Sequence, residues 1–237
     1  MKRTLLALIY FFVLYTEFST PAQSTFQNLD FESTTLVSAG PPSVQFAPAF
    51  PGWRCNVGTS AVDTALYNTV ALDSSAISII DQGWPHSLTS GGVIEGNYTA
   101  IIQAGVTGIA GTPTDTSLSQ VGLVPPTALS LRFKAELVAA GPGAFVVQLG
   151  GQQLLAVPLG QGMNYTLYGA DIHLWAGQTA ELDFTLLAGR PHIDNHYAFL
   201  DSIEFSDIAI PEPGTTVLLW LGALLVGWRA LKKKLKL

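Results

Sequence analysis

Cysteine occurs once in this sequence, at Cys55, so no intrachain disulfide can form. A chain of this kind outside the cytoplasm must be held by its core, or by bound ions, rather than by cross-links. Cys55 reads as a small buried hydrophobe, because no local motif sets a histidine beside it. Charge is also scarce, at 12% of residues against the usual quarter. Positive charge is scarcer still. Between Thr25 and Ile210 stand four basic residues (Arg54, Arg132, Lys134 and Arg190) against fifteen acidic ones, a net charge of −11. An acidic body without a basic patch has no electrostatic footprint for phosphates, which excludes nucleic acid as a partner. The serine-nucleophile elbow, the phosphate loop and the dinucleotide glycine fingerprint are all absent. Of the four histidines, His192 and His196 have i, i+4 spacing. Pro191 precedes them and no glutamate follows the first, so a loop is expected rather than a zinc helix. His86 and His173 stand alone. The sequence is therefore read as that of a non-enzyme.

What is abundant is apolar. The hydrophobic fraction is 48%, and part of it lies at the two ends. Lys2 and Arg3 precede an unbroken apolar stretch from Leu5 to Tyr15, then the small residues Thr20-Pro21-Ala22-Gln23-Ser24. That pattern predicts a secretory signal over residues 1–24, cleaved after Ala22 or Ser24 by signal peptidase. At the other end, Pro211-Glu212-Pro213 is followed by an apolar run from Val217 to Trp228, then by Arg229, Lys232, Lys233, Lys234 and Lys236. Twelve to seventeen helical residues reach about 18–26 Å, short of the roughly 30 Å hydrocarbon core. Basic side chains that snorkel to the interface supply part of the difference. The reading is a marginal transmembrane segment over 215–230 with a basic tail over 229–237.

The block over 209–237 resembles the PEP-CTERM sorting signal of exported bacterial proteins. The resemblance rests on the order of the Pro-Glu-Pro tripeptide (211–213), the apolar segment and the terminal basic cluster. It implies recognition and processing by an exosortase-type membrane enzyme near Pro211, Glu212 and Pro213. It further implies an inner-membrane anchor before processing, then a cell-surface or extracellular location.

The middle, residues 25–208, has about 185 residues, enough for one large β domain. Alternating segments recur: Asn28–Glu32, Leu129–Ala135, Ala180–Leu186 and Phe199–Phe205. Ala76–Ile80 and Tyr98–Gln103 are short and rich in β-branched residues. Gly150-Gly151 between two apolar runs predicts a two-residue hairpin. Asn164–Trp175 is left open between helix and strand. Gly105–Thr116 and Ser38–Pro51 are expected to be long loops. Sheets with one buried and one wet face pack in pairs. The expected fold class is all-β: an antiparallel, jelly-roll-like β-sandwich, flanked by an N-terminal signal helix and a C-terminal transmembrane helix.

The domain also resembles, more loosely, the galactose-binding-like jelly rolls. The residues that carry this likeness are Asn28–Glu32, Pro51-Gly52-Trp53, Glu95-Gly96-Asn97-Tyr98, Ser119–Pro125 and Phe199–Ser206. The resemblance implies neighbouring first and last strands with a structural Ca²⁺ beside them, for which Glu32 and Asp201 are the candidate ligands. The alternative reading of those two acids is solvated charge at strand edges. Trp84, within Asp81-Gln82-Gly83-Trp84-Pro85-His86, is the best candidate surface aromatic for a sugar; Trp53, Tyr67 and Trp175 are the other candidates, of which Trp53 and Trp175 suit a core better. The expected role is structural or adhesive, with extracellular polysaccharide as a contact. The alternatives are a carbohydrate-binding module with a specific glycan site and, behind it, a β-sandwich hydrolase needing two converging acids.

Overall fold

The computed structural model describes residues 25–71, 73–84, 91–107, 111–138, 144–188 and 196–210. The signal region 1–24, the sorting block from Pro211 onward, Arg190, His86 and His192 lie outside the described residues, and so do the two flanking helices expected from the sequence. Among the described residues no helix is long and apolar enough to cross a membrane.

The described chain forms two sheets packed face to face. The larger has ten strands, in the order Ser38–Gly40, Ser43–Gln45, Thr64–Tyr67, Ala76–Ile80, Thr99–Thr107, His196–Ser206, Ser130–Val138, Thr166–Asp171 and Val157–Gln161, with Thr112–Thr114 paired on Thr99–Thr107. The smaller has six, in the order Gln152–Gln153, Phe145–Leu149, Thr179–Leu186, Thr116–Leu123, Arg54–Val57 and Ser60–Ala61. All pairings are antiparallel except Thr64–Tyr67 with Ala76–Ile80. The all-β sandwich expected from alternation is the one observed.

Alternation places the core between the sheets. Leu131, Phe133 and Ala135 of the larger sheet and Leu182, Phe184 and Leu186 of the smaller are all buried. Phe184 sits at the centre. Its ring is edge-on to Phe133 at 5.3 Å, stacked with Phe145 at 6.0 Å and tilted against Trp53 at 6.3 Å. Such pairs add about 0.5–1.5 kcal/mol each beyond the area they bury. Trp53 and Cys55 are core residues, as their sequence context suggested. Burial, and then the charge of Asp183, pushes the Cys55 thiol up to about 12, so it is inert.

Gly150 and Gly151 make the expected hairpin, with φ of 58° and 77° between Leu149 and its partner Gln152. That conformation is open to glycine and matches the twist of the flanking strands. Other expectations are corrected. Asn28–Glu32 is a pair of turns and not a strand. Asn28 and Phe31 adopt φ of 50° and 57°, which buries Phe31 completely and breaks the apparent alternation. Gly105–Thr116 is not a loop: Thr112–Thr114 folds back on Gly105–Thr107 as a strand pair. Ser38–Pro51 holds two short strands and a one-turn helix, Phe46–Ala49. Asn164–Trp175 resolves into the strand Thr166–Asp171 and a 3₁₀ turn, His173–Trp175.

Candidate functional site

Between the two central strands Ala76–Ile80 and Thr99–Thr107, the described residues of the connection, 81–84 and 91–98, pack on the outer face of the sheet. Underneath them lies a second apolar cluster of Ile80, Trp84, Ile101, Tyr197 and Phe199, with Val93 and Ile94 packed against it. The sheet is thus buried on both faces here. This segment is termed the strap.

Carboxylates hold it down at both ends. At its start, Asp81 Oδ1 accepts from Asn68 Nδ2 at 2.7 Å and from the Gly83 N–H at 2.8 Å. Asp81 Oδ2 accepts from the Tyr67 hydroxyl at 2.5 Å. Burial acts to raise the Asp81 pKa, but the Tyr67, Asn68 and Gly83 donors outweigh it and hold the acid below its ordinary value. The same hydrogen bond, reinforced by burial and the Asp81 charge, pushes Tyr67 up to about 12.

At its end, Glu32 reaches across from the turn after Phe31. Its Oε1 accepts from the Asn97 N–H at 2.7 Å and the Tyr98 N–H at 3.0 Å. Its Oε2 accepts from Asn97 Nδ2 at 2.7 Å. Burial again opposes ionisation, and the Tyr98 and Asn97 donors again prevail, so Glu32 titrates below its usual range. Gly96 sits against this carboxylate with φ of 65°, and a Cβ there would collide with Glu32 Oε1. Glycine is needed for both reasons.

Asp201 lies below the same stretch. It is 1% exposed, on the outer side of His196–Ser206 next to a bulge. Ser202 has φ of 49°, and the register slips between Arg132 and Lys134 on the neighbouring strand. Asp201 Oδ2 accepts from the Thr99 hydroxyl at 2.6 Å and the Glu95 N–H at 3.2 Å. Asp201 Oδ1 accepts from the Ser202 N–H at 2.7 Å. Burial is the largest influence and lifts Asp201 to about 7 despite those donors, with the Glu32 charge adding to it. Glu95 completes the latch, its Oε2 taking Lys134 Nζ at 2.5 Å and the Ser202 hydroxyl at 2.5 Å. Those hydrogen bonds, Lys134 foremost, lower the Glu95 pKa.

The sequence candidates Glu32 and Asp201 are therefore brought to one stretch of chain, but as anchors of the strap. Their oxygens already accept six N–H and O–H donors. A Ca²⁺ ion needs six to eight oxygens directed at it, and the backbone here offers N–H groups. Among the described residues no cluster of three or more His, Cys, Asp or Glu side chains is arranged for a metal. The donor set does not fit the ion.

Trp84 also departs from expectation. It is 2% exposed, its indole edge-on to Phe199 at 6.3 Å, so it offers no open face to a sugar ring. An aromatic beside a Pro in a polar phrase reads as a loop residue; here the strap folds it inward. Trp175 is half-buried beside Gly150. His173 pairs with Asp171 at 2.7 Å on the surface, and His196 is buried on its strand.

Sequence reasoning names Glu95-Gly96-Asn97-Tyr98 only for the likeness it carries and gives Glu95, Asn97 and Lys134 no place in a site. The signal was the phrase Glu95-Gly96-Asn97, an acid and an amide around a glycine just before a buried strand. A polar groove of about 260 Å³ was also missed. It lies where Ser130–Val138 ends beside the turn Gly162–Tyr165, and Glu136, Gln161, Asn164, Tyr165, Thr166 and Tyr168 are among its walls. Gly162 lets the Tyr165 ring lie flat on the turn, where a Cβ would enter it. Lys134 Nζ stands 5.1 Å over the same ring. Asn164 donates to the Val93 carbonyl at 3.1 Å, tying groove to strap.

The geometry defines the class: an all-β sandwich whose strongest polar cluster is internal. No protein-family model matches the chain, and no curated protein does. Among solved structures it is similar to the carbohydrate-binding module TmCBM61 in complex with β-1,4-galactotriose, at 13% identity over 77% of this chain and 97% of that one, TM-score 0.41. It is similar to an apo-form cyclase from Fischerella sp., at 12% identity over 76% and 93%, TM-score 0.44. It is also similar to the K2 cleaved adhesin domain of Lys-gingipain, at 16% identity over 75% and 95%, TM-score 0.39.

Proposed function

We propose that this chain is an exported envelope or matrix protein whose sandwich is a passive structural or adhesive module, sorted through its C-terminal block by an exosortase-type enzyme. The observation that carries the reading is the order of Pro211-Glu212-Pro213, the apolar run Val217–Trp228 and the basic cluster Arg229–Lys236, behind a signal-like start. The state of the carboxylates supports the passive role. Glu32, Glu95 and Asp201 are engaged by internal donors, whereas an acid–base pair needs open oxygens facing a substrate. The test is the intact mass of the mature protein from its host. Loss of the first 22–24 residues and of everything beyond about Pro213 is the expected result. A cytosolic chain with both ends intact overturns the reading.

A second reading, a glycan-binding module, is favoured by the groove beside Tyr165. Amide and carboxylate groups from Gln161, Asn164 and Glu136 line it, and such groups hydrogen-bond sugar hydroxyls. Titration of the full chain against a panel of neutral glycans, with Gln161→Ala as the control, tests it. Saturable binding weakened by that substitution supports the module; no binding to any glycan removes it.

A further inference from the structure

The two ends of the sandwich differ in what they expose. One end is made of the tips of three adjacent strands of the larger sheet: the start of Ser130–Val138, the end of Thr166–Asp171 and the end of His196–Ser206. Their registers meet at Ser130, paired with both Asp171 and Ser206. Leu129 is 39% exposed, Leu174 66% and Ile208 59%. They are three of eight large exposed apolar side chains among the described residues; strands lie about 4.8 Å apart, so these three tips span roughly 10 Å.

The backbone there is fixed. The Leu129 N–H donates to the Ser206 carbonyl at 2.8 Å, and the Ile172 N–H to the Leu129 carbonyl at 3.1 Å. The Ser130 hydroxyl donates to the Ile208 carbonyl at 2.6 Å, and Gln178 Nε2 to the Leu174 carbonyl at 2.6 Å. The apolar side chains stand on a rigid platform. Its charged neighbours are Asp171 and Asp207, with His173 on Asp171; no lysine or arginine occurs in 123–130, 171–179 or 206–210.

The chain enters and leaves at this same end. Thr25 is bridged to Leu123, at the tip of Thr116–Leu123. Ile210 rests against Gly169, two residues from the tip of Thr166–Asp171. The apolar run begins at Val217, so eight residues (209–216) lie between it and Ile208, a reach of about 30 Å when fully extended.

We infer that this apolar tip is a membrane-apposed surface, with Leu129, Leu174 and Ile208 resting in the interfacial layer of a phospholipid bilayer while the C-terminal segment holds the chain there. The inference rests on the anchor reading above. Three partly exposed side chains make a weak site alone, but a short tether keeps the tip at millimolar effective concentration near the bilayer, which suffices for a weak contact. Without cations at the tip, the attraction is apolar and needs no anionic lipid. The groove beside Tyr165 lies toward the opposite end and would face outward.

The test uses the full chain in phosphatidylcholine vesicles. Reporter cysteines at Leu174, at Ile208 or at Thr127 beside the tip carry a polarity-sensitive fluorophore, and Thr59 at the far end is the control. Cys55 is buried and does not label. Flotation first asks whether the chain is membrane-held. The expected result is co-flotation, with a blue shift and quenching by nitroxide lipid at the tip positions and neither at Thr59. The Thr127 signal should be lost in a Leu129→Ser, Leu174→Ser, Ile208→Ser background that still floats and keeps its β-sheet circular dichroism. Co-flotation with water-like emission at every position overturns the docking and leaves the anchor intact. Equal quenching at Thr59, or an unchanged Thr127 signal in the triple background, also overturns the docking. Failure to float overturns both.

Discussion

The two faces of the larger sheet are covered in different ways. The inner face meets the second sheet through Ile77, Ile79, Ala100, Ile102, Phe133, Ala198 and Leu200, all buried and all apolar. The outer face carries Ile80, Ile101 and Phe199 in its middle, but Ser78, Gln103, Thr99 and Asp201 beside them are equally buried. Gln103 Nε2 donates to the Ser78 hydroxyl at 2.6 Å, and Gln103 Oε1 accepts from the Ala71 N–H at 2.8 Å. One face is held by apolar burial, which is non-directional and tolerant. The other is held by a narrow apolar strip framed by specific hydrogen bonds, and a buried polar group that loses its partner costs far more than the bond itself gained. The core should therefore fail globally and the strap locally.

The largest effect is expected at Phe184. Phe184→Ala removes the ring at the meeting point of both sheets and should cost about 3–5 kcal/mol, read as a lower urea midpoint with an unchanged m-value. Phe199→Ala removes a ring of the same size from under the strap. It should cost about 2–4 kcal/mol and, unlike the first, should open the strap to limited proteolysis under conditions where the rest of the sandwich stays protected. Equal global destabilisation with no local cleavage would show that the strap is part of the same cooperative unit.

Asp201 sharpens the contrast through pH. Its folded-state pKa is raised to about 7, above the unfolded value, so the folded state holds the proton more tightly. Stability from that proton is fully present below the unfolded pKa near 4 and is lost as pH rises through about 7. Glu32, Asp81 and Glu95 are shifted downward; they contribute above their unfolded pKa values and lose that contribution as pH falls through their lower folded ones. Asp201→Asn keeps the shape and removes the proton equilibrium. The slope of stability against pH between about 4 and 7 should flatten; the slope is the readout, because the Asn amide also sets an N–H₂ against the Ser202 or Glu95 N–H. An unchanged slope would place the titration elsewhere.

The inner face was legible in the sequence and the outer face was not, for a definite reason. Leu131, Phe133 and Ala135 alternate with Arg132 and Lys134, and alternation marks burial on one side. Ala76–Ile80 and Thr99–Thr107 lack it: Ile77, Ile79 and Ile80 are all buried, as are the six residues from Thr99 to Ala104. A continuous apolar run in a short strand signals two buried faces, which requires something to lie outside the sheet. That cover is the strap, and its apolar residues Trp84, Val93 and Ile94 follow no period, so nothing in their spacing announced it. The same holds for the candidate ligands. Glu32 and Asp201 were legible as a pair through the resemblance, but their partners are N–H groups of Glu95, Asn97, Tyr98 and Ser202, and a sequence does not display backbone donors. The groove beside Tyr165 depends on the turn at Gly162 and was invisible for the same reason.

The smallest effect separates charge from shape at the end of the strap. Gly96→Ala introduces a Cβ against the Glu32 carboxylate at a φ of 65°, a conformation costing an L-residue roughly 1–2 kcal/mol, so the latch must open. Glu32→Gln keeps the side-chain length and one acceptor oxygen but places an amide N–H₂ where the other oxygen accepts a donor. Glu32 is partly exposed, so water can replace what is lost, and a reduction of about 1 kcal/mol is expected. Both changes should speed amide exchange at Asn97 and Tyr98 while leaving Leu182 and Phe184 unaffected. If exchange at Phe184 rises in step, the latch and the core are one unit, and the division between a tolerant inner face and a specific outer one does not hold.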